Sequence, residues 1–142
     1  MRERLLDCLM ELTFNGDLSE LARLASEIER FCRVRNLGED PQLQLTLALD
    51  ELLTNSIRHG GCKGVPGAVQ IRLEPHEGAV HVEFRDRGTP FDPLSVPPPD
   101  LTAPLEQRAS GGLGLHFVRQ MMRHLQYDRC GEWNRLTMEL PI

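Results

Sequence analysis

Lysine is nearly missing from this sequence: Lys63 is the only one, and every other basic residue is an arginine. Two ways of holding phosphate are missing with it. A P-loop needs the lysine of G-x-x-x-x-G-K-[ST], and Gly60-Gly61-Cys62-Lys63-Gly64 does not supply that frame. A protein-kinase fold needs a strand lysine in V-A-I-K, and none is present. If this chain handles phosphates, it must do so with backbone N–H groups, arginine and a metal ion. Cysteine pairs are lacking too. Cys8, Cys32, Cys62 and Cys130 are scattered, with no C-x-x-C and no close histidine, which excludes an ordinary zinc site and reads as reduced thiols in a cytoplasmic protein. No apolar run approaches the ~18 residues of a membrane span, and no secretory leader or internal repeat is visible. Positive charge is not in excess: Lys+Arg 16 against Asp+Glu 21 gives a net charge of -5, which argues against a nucleic-acid partner. The 142 residues are read as one domain spanning 1–142. A chain of that size buries about two-thirds of its unfolded surface and needs no metal or disulfide staple.

What is present is a clear alternation of patterns. Met10, Leu12 and Phe14 alternate with polar residues as in a half-buried strand, and Asn15-Gly16 turns the chain. Asp17 is the expected N-cap of a first helix, with Glu20 as its capping-box partner, and helical spacing runs to about Asn36. Asp40-Pro41 is expected to open a second helix carrying Leu45, Ala48, Leu49, Leu52 and Leu53 and stopping at Gly60-Gly61. Val69, Ile71, Leu73 and then Val80, Val82, Phe84 predict an antiparallel hairpin. From Gly88 to about Gly112 six prolines exclude helix and central strand, and a loop this long inside a domain is usually functional or disordered. A third helix with Leu115, Val118, Met122 and Leu125 follows, then a second hairpin turning at Gly131-Glu132. The order β-α-α-β-β-loop-α-β-β predicts an α+β fold, a mostly antiparallel sheet covered on one face by helices.

Three groups of residues could carry chemistry. Glu51 and Asn55 lie four apart on the second helix and share a face, offering a carboxylate base and a hard amide oxygen suited to magnesium. Alone, that pair is an ordinary solvated helix face. Asp86 ends a strand and precedes Arg87-Gly88. Its carboxylate could accept from an exocyclic amine while Gly88 lets a flat ring approach the backbone, although D-x-G is also a common turn. Ser110-Gly111-Gly112-Leu113-Gly114 opens the third helix, leaving bare N–H groups that favour an anion, or else forming a hinge. His59 and His116 read as surface or capping histidines. Leu18, Leu21, Leu24 and Ile28 read as core rather than a dimer face.

The succession of these signals resembles the GHKL ATP-binding (Bergerat) fold, and within it the stand-alone anti-sigma-factor serine kinases of bacterial partner switching. Residues 49–60 (LDELLTNSIRHG) resemble that family's N box, 86–94 (DRGTPFDPL) its G1 box and 111–116 (GGLGLH) its G2 box. The resemblance runs from about Phe14 to the C-terminus and implies a two-layer α/β sandwich that binds ATP. It implies Glu51 as general base toward a serine hydroxyl, Asn55 as magnesium ligand, and Asp86 with Gly88 at the adenine. Gly111, Gly112, Leu113 and Gly114 fall on the phosphate side, and the lid covers about residues 91–111. It further implies a serine-protein kinase that phosphorylates a STAS-domain anti-sigma-factor antagonist and sequesters a sigma factor or equivalent regulator, as a possible homodimer with no nucleic acid or membrane partner. The alternatives are a non-catalytic binding module that switches by occlusion and a histidine-kinase catalytic domain. Three positions depart from the pattern. Pro90 replaces a second glycine, and Arg108 stands near the arginine of some relatives with its register open. Asn134 stands where relatives often place a threonine beside the adenine aspartate, and is expected to bond Asp86 in its stead.

Overall fold

The computed structural model describes residues 9–97, 102 and 112–142. Strand β1 (Met10–Phe14) leads into helices α1 (Glu20–Val34) and α2 (Glu39–Arg58), then strands β2 (Val69–His76) and β3 (Ala79–Asp86). A 3₁₀ turn at Pro93–Ser95 precedes α3 (Gly112–Met121), β4 (Arg123–Cys130) and β5 (Trp133–Pro141). The five strands form one sheet in the order β1-β2-β3-β5-β4, and every neighbouring pair is antiparallel. This is the expected α+β architecture, helices over one face of an antiparallel sheet.

Period-2 alternation decides which side chains meet the helices. Val69, Ile71 and Leu73 of β2, Val80, Val82 and Phe84 of β3, and Leu136, Met138 and Leu140 of β5 are all buried. They join Leu24, Ile28 and Phe31 of α1 and Leu45, Leu49 and Leu53 of α2 in one core. Leu24 and Ile28 are therefore core, while Leu18 stays partly exposed. The opposite face is laced with charge: Arg72 lies 3.8 Å from Glu11, and Arg135 lies 3.9 Å from Glu83 and 2.7 Å from Asp128. No helix among the described residues is long and apolar enough to cross a membrane.

The helix starts differ from the expectation. Asp17 Oδ1 accepts the Ser19 N–H at 2.9 Å, and Glu20 Oε2 accepts the Asn15 N–H at 2.9 Å. A turn closed by Glu20 N–H on the Asp17 carbonyl (3.0 Å) intervenes, so α1 begins at Glu20 and the reciprocal capping bonds are shifted outward. Before α2, Gly38 adopts φ +87°, a conformation glycine favours, which lets the helix begin at Glu39 with Pro41 third rather than first. Pro41 still costs nothing there, because N–H groups of a first turn have no intrahelical partner.

Gly16 has a different use from the turn expected of it. Its N–H donates to the Val65 carbonyl at 2.9 Å, its own carbonyl accepts from Gly64 N–H at 2.8 Å, and Asn15 Oδ1 accepts from Gly67 N–H at 2.9 Å. A Cβ on Gly16 would lie 1.7 Å from the Cys62 carbonyl oxygen, a backbone atom that cannot step aside. Gly16→Ala is therefore expected to cost about 1–3 kcal/mol as an overpacking substitution, read as a lower midpoint in denaturant titration. The strapped loop it supports is the one that carries Gly60 to the site.

Candidate functional site

The alternation that buries Phe84 and Leu136 also places Asp86 and Asn134, two residues further along, on the helix-covered face, and the two are register partners. α2 contributes Ser56. This residue falls on the same helical stripe as Leu45, Leu49 and Leu53, so it points inward and is 6% exposed. Together they form the floor of a cavity of about 350 Å³. Its walls are mostly apolar, built by Leu52, Phe84, Pro90, Phe91, Val96, Leu115 and Leu136, with Asn55 on the rim of α2. A largely apolar cavity with one carboxylate on its floor suits a heteroaromatic ring that carries a hydrogen-bond donor.

The carboxylate is fixed from three directions. Asp86 Oδ1 accepts the Gly88 N–H at 2.9 Å and the Asn134 amide NH2 at 2.8 Å, and Oδ2 accepts the Ser56 hydroxyl at 2.8 Å. A carboxylate offers about four acceptor positions, so one on Oδ2 is left for a ligand. Gly88 is needed for a close backbone contact. Its missing Cβ would stand 2.2 Å from the Gly60 carbonyl oxygen, which also accepts the Thr89 N–H at 3.0 Å. Arg129 Nη1 donates to the Gly88 carbonyl at 2.8 Å, and Arg119 Nη1 to that of Val96 at 2.8 Å.

The second group lies further along α2. Asn55 donates its NH2 to Glu51 Oε1 at 3.1 Å, and its amide oxygen accepts nothing among the described residues. A helix rises about 1.5 Å per residue, so Glu51 stands roughly 7.5 Å from Ser56 along the axis. The first turn of α3 closes on this end: a Cβ on Gly114 would fall 1.9 Å from Glu51 Cδ. The site thus has two poles, Asp86 with Ser56 and Asn134 at one, and Glu51 with Asn55 and Gly114 at the other.

Of the residues singled out from the sequence, Glu51, Asn55, Asp86, Gly88 and Gly114 come together. Gly112 and Leu113 begin α3, and Gly111 and Arg108 lie outside the described residues, as does most of the expected lid. His59 ends α2 and lines the cavity, whereas His116 sits beside Phe117 on α3. The expected bond between Asn134 and Asp86 is present. Sequence reading missed Ser56, although a serine on an apolar helical stripe is a legible signal, and Tyr127, whose hydroxyl donates to Asn134 Oδ1. Cys62 lies beside this pole, but burial, reinforced by the negative Asp86, pushes its thiol up to about 11, so it is packing and not a nucleophile. Burial likewise raises Asp50 above the usual carboxylate range, with Oδ1 unpaired among the described residues.

The profile of the family described as histidine kinase-like ATPase domain matches residues 14–140. Serine/threonine-protein kinase BtrW of Bordetella bronchiseptica is 35% identical over 94 residues, 66% of this chain and 66% of that protein. Serine-protein kinase RsbW of Bacillus pumilus is 26% identical over 124 residues, 83% of this chain and 68% of the relative. For RsbW of Listeria monocytogenes the figures are 30% over 90 residues, 59% and 57%. The matched chain thus spans between 57% and 68% of the length of these curated relatives. In fold, it resembles the solved structure of the RsbU and RsbW domains of Rv1364c from Mycobacterium tuberculosis. The TM-score is 0.64 over 94% of this chain and 32% of that one, at 12% identity.

Proposed function

The chain belongs to the histidine kinase-like ATPase domain family, and from that premise we propose that it is a protein-serine kinase of the partner-switching type. It would take ATP as phosphoryl donor and the serine of a STAS-domain anti-sigma-factor antagonist as acceptor. In alternation with that antagonist, it would hold a sigma factor or an equivalent regulator, as a possible homodimer. The observation that carries the reading is the pairing of two poles along α2: at Ser56 a fixed carboxylate, Asp86, in an apolar slot, and about one and a half helical turns away a second carboxylate, Glu51, against the first turn of α3.

In this reading the adenine ring occupies the slot and its amine donates to the open position of Asp86 Oδ2. The triphosphate then runs along α2 toward the first turn of α3, where backbone N–H groups around Gly112 and Gly114 and the helix dipole favour negative charge. That arrangement needs no lysine, in keeping with a chain that has one. Asn55 suits magnesium, because its free amide oxygen is a hard ligand beside a carboxylate. When bound, magnesium would neutralise phosphate charge. Glu51 takes the proton of the incoming serine hydroxyl as the serine oxygen bonds to the γ-phosphorus. The bond from that phosphorus to the bridging oxygen breaks, and ADP leaves.

The nucleotide half is tested by Asp86→Asn. An asparagine oxygen can still accept from Gly88 and Asn134, and the Ser56 hydroxyl can turn to accept from the new NH2. The position facing the slot then becomes a donor, matched to guanine O6 rather than to the adenine amine. ATP affinity is expected to fall about tenfold to a hundredfold while GTP affinity falls less or rises, measured by calorimetry. Equal ATP affinity in the variant would remove Asp86 from base recognition.

A further inference from the structure

Among the described residues the buried polar side chains are Ser56 and Asn134, and both are spent on Asp86. The Ser56 side chain makes that one bond among the described residues. Asn134, 7% exposed, is saturated: its NH2 donates to Asp86 Oδ1 and to the Thr89 carbonyl, each at 2.8 Å. Its Oδ1 accepts the Phe91 N–H at 3.2 Å and the Tyr127 hydroxyl. The amide cannot be turned over, because Asp86 and Thr89 offer only acceptors and Phe91 offers only a donor. One side chain on β5 therefore holds the base-facing carboxylate and also both ends of the Thr89–Phe91 segment, which forms a wall of the same cavity.

From this linkage we infer that Asn134 is a positioning residue that locks the base-recognising carboxylate and the Thr89–Phe91 wall of the cavity into one unit, so that base selectivity and the placing of that wall depend on the same side chain. The inference rests on the nucleotide reading above. A buried polar group that served stability alone would need only to be satisfied. Here each bond ends on an element that touches the ligand space, and two of them cross from β5 to the Thr89–Phe91 segment. A threonine at this position has one hydroxyl proton to give, so it could serve Asp86 or the Thr89 carbonyl but not both, and one tie to the Thr89–Phe91 segment would be lost.

The test compares ATP with ribose 5′-triphosphate, which lacks the base, by calorimetry on the full chain, and follows hydrogen exchange at the Phe91 amide. In Asn134→Ala, ATP affinity is expected to fall about tenfold or more while ribose triphosphate binding stays within about twofold, and the Phe91 amide exchanges faster. In Asn134→Thr, which keeps bulk and a bond to Asp86 but leaves the Thr89 carbonyl without its donor, ATP affinity stays within about threefold of wild type while the Phe91 amide exchanges faster than in wild type. Equal loss of both ligands in Asn134→Ala would leave a structural role only and overturn the inference. So would unchanged ATP affinity in that variant, or a Phe91 amide in Asn134→Thr as protected as in wild type. Failure of the wild-type chain to bind ATP at all would instead sink the nucleotide reading, and this inference with it.

Discussion

Glu51→Gln is expected to bind ATP within about twofold of wild type and to transfer phosphate about 10²–10⁴-fold more slowly. Glutamine keeps the volume of the side chain, and its oxygen can still accept from the Asn55 NH2, the bond that Glu51 Oε1 accepts at 3.1 Å. What it loses is the ability to take a proton. The base pole, built from Asp86, Ser56 and Asn134, is untouched, so binding and transfer separate cleanly. Single-turnover rates with ATP binding measured in parallel give both numbers. A transfer rate within about threefold of wild type would show that Glu51 is not the base.

The second large effect is expected from a methyl group. Gly114→Ala adds a Cβ 1.9 Å from Glu51 Cδ and 2.2 Å from both carboxylate oxygens. Something must move. Of the two sides, the end of a glutamate side chain yields far more easily than the backbone of α3, and alanine is a better helix former than glycine. The variant should therefore fold as well as wild type, with an unchanged or slightly raised Tm. Its glutamate would be displaced by an ångström or more and its transfer rate lowered by about a hundredfold. An unaltered rate would mean that the contact between α3 and Glu51 plays no part in transfer. Together with Glu51→Gln this substitution asks whether the carboxylate must be present and whether it must be held in place.

Much of this is legible in the sequence. Alternation in residues 69–73 and 80–84 fixed the hairpin, and because the period is two, it also determined that Asp86 would share the buried face of Phe84. The i, i+4 spacing put Glu51 and Asn55 together for the same elementary reason. The misses are of two kinds. Local ones came from backbone conformation that side-chain pattern does not encode: Gly38 at φ +87° begins α2 one residue before the expected cap, and the Asp17–Ser19 turn delays α1. Gly16 was read as a turn residue, but what demands glycine there is a carbonyl 46 positions away in the chain, at Cys62. Long-range placement was the other kind. β4 has no fully buried residue in its alternation, and its register with β5 shifts between Arg123 and Gln126, so nothing in the sequence brings Tyr127 to Asn134. The meeting of Gly114 with Glu51 is equally tertiary, since it depends on how α3 crosses α2.

The central claim is transfer to a serine on a separate protein. The most direct measurement is to incubate the chain with magnesium, ATP labelled on its γ-phosphate and its cognate STAS-domain antagonist, and then to map the label by mass spectrometry and acid treatment. The account predicts acid-stable phosphate on one serine of the antagonist, appearing about 10²–10⁴-fold more slowly with Glu51→Gln. Label that acid removes, as from phosphohistidine, or no transfer at all from a chain that binds ATP tightly, would contradict it.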